Sequence, residues 1–67
     1  MMGYRGRKGR RVLVQLPDMT IEGTLERAGR RTLRLMGAKL VDRDRAPTPI
    51  DGEVVVERAQ VSWVQVL

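Results

Sequence analysis

The sequence predicts an all-β fold: one small antiparallel barrel of five strands, residues 12–67, behind a basic N-terminal arm, residues 1–11, that is disordered or extended. Three observations point there. Short runs of β-branched and apolar residues alternate with polar ones, as half-buried strands require. Gly and Pro punctuate those runs at short intervals. The charge is also lopsided: Arg5, Arg7, Lys8, Arg10 and Arg11 meet no acid in the first 11 residues, whereas the other eight basic residues are balanced by eight acids. The net charge of +5 therefore belongs to the arm.

Within the arm, Gly3, Gly6 and Gly9 separate the charges and no apolar periodicity appears. Such a segment cannot bury enough surface to offset its ordering entropy, so it is expected to stay mobile until it meets a partner. Strand character begins next, with Val12, Val14 and Leu16 alternating with Leu13 and Gln15. Pro17-Asp18 supplies a turn, Pro presetting φ and Asp being a common turn former. From Thr20 to Glu26 the residues Ile21, Gly23 and Leu25 fall on one side, and Thr20, Glu22, Thr24 and Glu26 on the other. A glycine inside such a run marks a bulge or bend. Ala28-Gly29-Arg30 forms the next turn, with Gly29 available for positive φ.

A third strand is expected over Thr32–Leu35, resuming over Ala38–Val41 beyond Gly37. Leu33, Met36 and Leu40 also have helical spacing, but Gly37 interrupts the segment and no N-cap opens it, which favours a bent strand. Asp42–Asp51 reads as a loop, because Pro47 and Pro49 disfavour helix and remove backbone donors. A fourth strand centres on Val54-Val55-Val56. Arg58-Ala59-Gln60 leaves room for one 3₁₀ turn. The last strand, Val61–Leu67, sets Val61, Trp63 and Gln65 opposite Ser62, Val64 and Val66. Tight early turns, a longer loop before strand four and a three-residue link to strand five describe an SH3-like barrel.

A domain this short buries only about 60% of the surface its unfolded chain exposes. With no Cys and no His, neither disulfides nor the usual zinc site can support it, which leaves oligomerisation. Val54, Val55, Val56, Val64 and Val66 place apolar side chains on both faces of their strands. A barrel has one inside, so these are candidate oligomer contacts. No apolar run approaches the roughly 18 residues that span a bilayer, and Val12–Leu16 is too short for the apolar segment of a signal peptide. A soluble protein with no membrane partner, not exported through a signal peptide, is expected.

The stretch Val12-x-Val14-x-Leu16-Pro17-Asp18-x-x-Ile21-x-Gly23-x-Leu25, followed by Leu33-x-Leu35, resembles the first motif of the Sm-like family. Val54-Val55-Val56 followed by Val61-x-x-Val64 resembles its second. The resemblance implies rings of six or seven subunits, strand four of each pairing with strand five of the next. In RNA-binding members the turn before the third strand carries Asp and Asn, which hold a uridine with help from an Arg-Gly pair after strand four. Here that turn reads Ala28-Gly29-Arg30-Arg31-Thr32, about one residue short, with Thr32 where Asn would stand. Glu57-Arg58 replaces Arg-Gly, and the turn has no aromatic residue on which a base could stack. A uridine-reading site is not expected.

A second resemblance rests on Pro49, Asp51-Gly52-Glu53-Val54-Val55-Val56 and the closing Trp63-Val64-Gln65-Val66-Leu67. It is similar to small proteins encoded by tailed bacteriophages of actinobacteria, whose GC-rich genomes suit an Arg- and Val-rich, Lys-poor chain. This implies a virion component, a head or head–tail accessory subunit located in the virion or in the host cytoplasm during assembly.

Tyr4, Arg5, Arg7, Lys8, Arg10 and Arg11 are the leading candidate contacts, toward nucleic acid or an acidic surface on another structural subunit. Each phosphate they neutralise would release counterions. Arg27, Arg30, Arg31 and Arg34 form a second basic cluster at one turn, with Glu22 and Glu26 expected to pair with some of them across the hairpin. Trp63 is expected in the core or at its edge, with an interface anchor as the alternative. Asp42, Asp44, Asp51 and Glu53 are interrupted by Arg43 and Arg45 and lack the spacing of a calcium loop. No metal or other cofactor is expected. With no His, no Cys, no phosphate loop and no base near Ser62, no catalytic residue is expected either. The residues thus predict a structural or interaction subunit that forms a homo-oligomer, or alternatively a ring that binds nucleic acid through unspecific basic contacts.

Overall fold

The computed structural model describes residues 9–67. Tyr4, Arg5, Arg7 and Lys8 lie outside the described residues. The described chain forms one antiparallel sheet of six strands: β1 (Arg11–Gln15), β2 (Thr20–Ala28), β3 (Thr32–Asp42), β4 (Arg45–Pro49), β5 (Val54–Glu57) and β6 (Trp63–Val66). A single 3₁₀ turn, Arg58–Gln60, joins β5 to β6. Hydrogen-bonded neighbours run β4-β3-β2-β1-β6, and β5 pairs with β3 beyond the point where β4 leaves it.

Period-two alternation decides what is inside. Val14 sits opposite Ile21 and Val12 opposite Gly23 on β1 and β2. Leu25 faces Leu35, and Leu33 faces Val56. With Ala38 these make the buried core of the described residues, which holds no buried polar or charged side chain. On β6 the partly buried Val64 and Val66 pack against that core. Trp63 then falls on the opposite parity and is 47% exposed, so the expectation that it belongs to the core is corrected.

Gly37 makes one curved strand out of β3. Leu35 and Ala38 both face the core although they are three residues apart, which a regular strand cannot arrange. The phase is reset by Gly37, whose φ of 56° is a conformation that costs other residues energy. On the facing strand Gly23 leaves the space that the bend needs. A Cβ there would lie 3.2 Å from the Leu35 Cβ and 3.3 Å from the Ala38 Cβ. The bent-strand reading of Thr32–Val41 holds. Gly29, by contrast, does not use positive φ; its N–H donates to the Thr32 carbonyl at 2.8 Å.

The segment Asp42–Asp51 is not simply a loop. The chain turns at Arg43 and Asp44, where the Asp44 N–H donates to Asp42 Oδ1 at 2.9 Å, and returns along β3 as β4. Every β4 residue is exposed, so the strand shows no apolar alternation. Its two prolines are tolerable because β4 lies at a sheet edge and pairs only with β3. The barrel therefore has six strands rather than five, β4 and β5 pairing with opposite halves of β3 on either side of its bend. Among the described residues β5 bonds only to β3, and β6 only to β1, which leaves one free edge on each.

Because Gly37 holds a left-handed backbone angle and Gly29 does not, Gly37→Ala should cost about 1–2 kcal/mol. Gly29→Ala should change stability by no more than about 0.5 kcal/mol. Urea unfolding of both variants at one protein concentration checks this.

Candidate nucleic-acid interface

Two turns distant in sequence meet at one end of the barrel. The turn Ala28–Arg31 joins β2 to β3, and the 3₁₀ turn Arg58–Gln60 follows β5. Since β3 pairs with β2 on one side and β5 on the other, both turns emerge at the same end. The Arg58 N–H donates to the Arg31 carbonyl at 2.8 Å, and Thr32 sits opposite Glu57. Between them lies a cleft of about 500 Å³ lined by Arg30, Arg31, Thr32, Glu57, Arg58 and Ala59. Arg58 is the functional candidate that the residue pattern alone missed, because its neighbourhood depends on a pairing between distant strands.

The charge of the body is separated along the barrel. The end with the cleft carries Arg27, Arg30, Arg31, Arg34 and Arg58 against Glu26, Glu53 and Glu57, an excess of two positive charges. At the β3–β4 turn, Arg43 and Arg45 balance Asp42 and Asp44, and Asp18 lies between, sharing one groove with Glu57 and Gln60 and another with Asp42 and Arg43. A chain segment that is neutral in sum thus presents a basic end, where a polyanion would be drawn.

The expected pairing of Glu22 and Glu26 with that basic cluster is corrected. Glu22 lies mid-strand, opposite Leu13 and Lys39. Its Oε2 accepts from Arg11 Nη2 at 3.0 Å and lies 3.8 Å from Lys39 Nζ. Glu26 takes part in none of the ion pairs among the described residues, and Arg34 instead reaches Glu53, with 3.4 Å between Nε and Oε2. That last pair is about half exposed on both sides and adds little.

The described part of the expected arm is tied to the barrel. Gly9 donates to the Leu25 carbonyl at 2.6 Å, and Arg10 accepts from the Leu25 N–H at 2.9 Å. Arg10 Nη2 donates to the Leu67 carbonyl at 3.2 Å. Arg11 begins β1, and its Nη1 donates to the Gly37 carbonyl at 3.0 Å and to Thr24 Oγ1 at 3.2 Å. Arg11 is thus a clamp on the β3 bend.

The candidate oligomer contacts lie along the two free edges. Val56 is buried, Val54, Val64 and Val66 are half-buried, and Val55 is exposed. An apolar groove of about 350 Å³ runs beside β5, with Leu16, Met19, Ile21 and Val54 in its walls. Among the described residues no three acidic side chains gather as a metal site would need.

No family model and no curated protein matches the chain. Eleven solved chains do match it. One is the crystal structure of a heptameric archaeal Sm protein, discussed there for its implications for the eukaryotic snRNP core. It is 23% identical, has a TM-score of 0.85, and the match covers 100% of this chain and 98% of that one. The all-β fold is therefore Sm-like. The resemblance to small virion proteins of actinobacterial phages finds no support in these likenesses.

Removing the clamp should loosen the bend. Arg11→Ala is expected to cost about 1–2 kcal/mol, against no more than about 0.5 kcal/mol for the exposed Arg43→Ala. Thermal unfolding of the two variants side by side checks the difference.

Proposed function

We propose that the chain assembles into a symmetric homo-oligomeric ring that binds single-stranded nucleic acid through its phosphate backbone, without preference for uridine. The observation that carries this reading is the meeting of Arg30 and Arg31 with Arg58 across one cleft, bonded through Arg58 N–H and the Arg31 carbonyl. This is the place where, by the resemblance noted above, RNA-binding Sm-like proteins hold a uridine. Here Thr32 stands where Asn would be expected, and the turn supplies Arg30 and Arg31, whose guanidinium groups suit phosphate better than a base edge.

The ring rests on the free edges. An unpaired strand edge invites pairing, and the described residues carry two, on β5 and β6, each four residues long. Pairing β5 of one copy antiparallel with β6 of the next sets the inward Val54 and Val56 beside the inward Val64 and Val66. It also sets the exposed Val55 near the exposed Trp63. The contact is heterologous, so each copy uses one edge for each neighbour and the chain of contacts can close. One solved protein to which this chain is similar is a heptamer, which supports assembly into a homo-oligomer. Closure would gather the basic ends of all copies.

Fluorescence anisotropy with labelled single-stranded RNA tests the reading. At low salt, oligo(U) and oligo(A) should bind with micromolar or tighter affinity and within about threefold of each other, weakening steeply as salt rises. Arg30→Gln combined with Arg31→Gln should weaken both about equally, by tenfold or more. Absence of binding at low salt, or a strong uridine preference, would contradict the proposal.

A further inference from the structure

At the basic end, the cross-strand register works against the electrostatics of the sequence. Leu25 of β2 lies opposite Leu35 of β3, and in a regular antiparallel ladder the next pair would be Glu26 opposite Arg34. That pairing would be favourable, as opposite charges across a strand pair are. The structure forms a bulge instead. Glu26 is the extra residue, and Arg27 takes its place opposite Arg34. Two like charges now face each other where the sequence offers an ion pair. Directly opposed like charges destabilise a sheet, and Glu26 joins no ion pair among the described residues.

We infer that Arg27 and Arg34 form a second phosphate-binding site, holding one backbone phosphate of single-stranded nucleic acid between them on the outer face of β2 and β3. Opposed residues on one sheet face have Cβ atoms about 4.5–5.5 Å apart, so two long guanidinium side chains can converge on one anion. Arginine forks are matched to phosphate oxygens, and a bound phosphate would turn the repulsion into two attractions. A bulge is a common device for re-aiming a side chain beside a functional site. Arg34 lies outward, between the buried Leu33 and Leu35, and keeps 42% of its side chain exposed despite the contact with Glu53. Arg27 is exposed as well.

The position fits a strand already held at the cleft. Thr32, which lines the cleft, is two residues from Arg34 along β3, about 6.6 Å at the rise of a strand. Gly9 bonds to Leu25, so the N-terminal segment joins the barrel two residues from Arg27. The pair therefore lies between the cleft and the point where the arm enters. This inference rests on the nucleic-acid reading given above, and adds to it an exit path for the strand over the outer face.

The test compares wild type, Arg27→Gln/Arg34→Gln, and Arg43→Gln/Arg45→Gln, which removes the same charge from the far end. Binding of a labelled single-stranded RNA is titrated over a range of salt concentrations, and each unbound protein is melted at low salt. The Arg27/Arg34 variant should bind about tenfold more weakly and show a log–log salt slope shallower by about 0.7, the loss of one single-strand phosphate contact. The Arg43/Arg45 variant should keep the wild-type slope. Unbound, the Arg27/Arg34 variant should melt at or above the wild-type temperature, since a repulsion has been removed. If wild type binds but the two variants behave alike, or if the Arg27/Arg34 variant melts lower, this inference fails while the cleft remains. If wild type does not bind at all, both fall.

Discussion

The bend in β3 at Gly37 is the constraint on which the other features depend. An eleven-residue strand that ran straight could not send Leu33, Leu35 and Ala38 into one small core. Bent, it pairs with β2 through both halves, with β4 at one end and with β5 at the other. The bend is held from two sides. Gly23 yields the space into which a side chain would otherwise project, and the Arg11 guanidinium bonds the Gly37 carbonyl while pairing with Glu22. Carrying β5 round the bend brings its 3₁₀ turn against the turn after β2. It also leaves β5 and β6 with unpaired edges among the described residues. The cleft and the edges are thus two outcomes of one backbone event.

Electrostatics follow from the same geometry. Along the sequence, the acids and bases of the body cancel in sum. Folding sorts them, because the turn Ala28–Arg31 and the segment Glu57–Arg58 share an end while Asp42 and Asp44 go to the other. The buried core is entirely aliphatic and among the described residues buries no charge, so the ionic groups contribute little to holding the fold. Their placement is therefore not fixed by the core. The bulge at Glu26 is the clearest case, since it sets Arg27 against Arg34 when an acid was available one residue earlier.

Much of this was legible in the sequence, for identifiable reasons. Val12, Val14, Ile21, Gly23 and Leu25 alternate cleanly because one face of their strands is buried, and that signal needs only local residues. Gly37 announced a bent strand because no other residue in the segment breaks its continuity. Other features left no local trace. β4 is exposed on both faces and carries Pro47 and Pro49, so it has the composition of a loop, and its pairing with β3 supplies the order. Glu26 looked like a partner for the arginines because, unlike the run around Gly23, Leu25-Glu26-Arg27 holds no glycine to mark its bulge. Trp63 looked like core on size alone, but strand parity gave the inside to Val64 and Val66. Arg58 was set near the turn Ala28–Arg31 by resemblance alone, and its bond to the Arg31 carbonyl follows from β5 flanking β3.

With a buried core of eight residues and two free strand edges among the described residues, the fold calls for self-association. Native mass spectrometry of the purified full chain, over a range of concentrations and at low and moderate salt, tests it most directly. One discrete homo-oligomer with a fixed number of subunits is expected, retained on dilution and free of larger open series, as closed heterologous pairing requires. A monomer at all concentrations, or an open-ended ladder of masses, would contradict it.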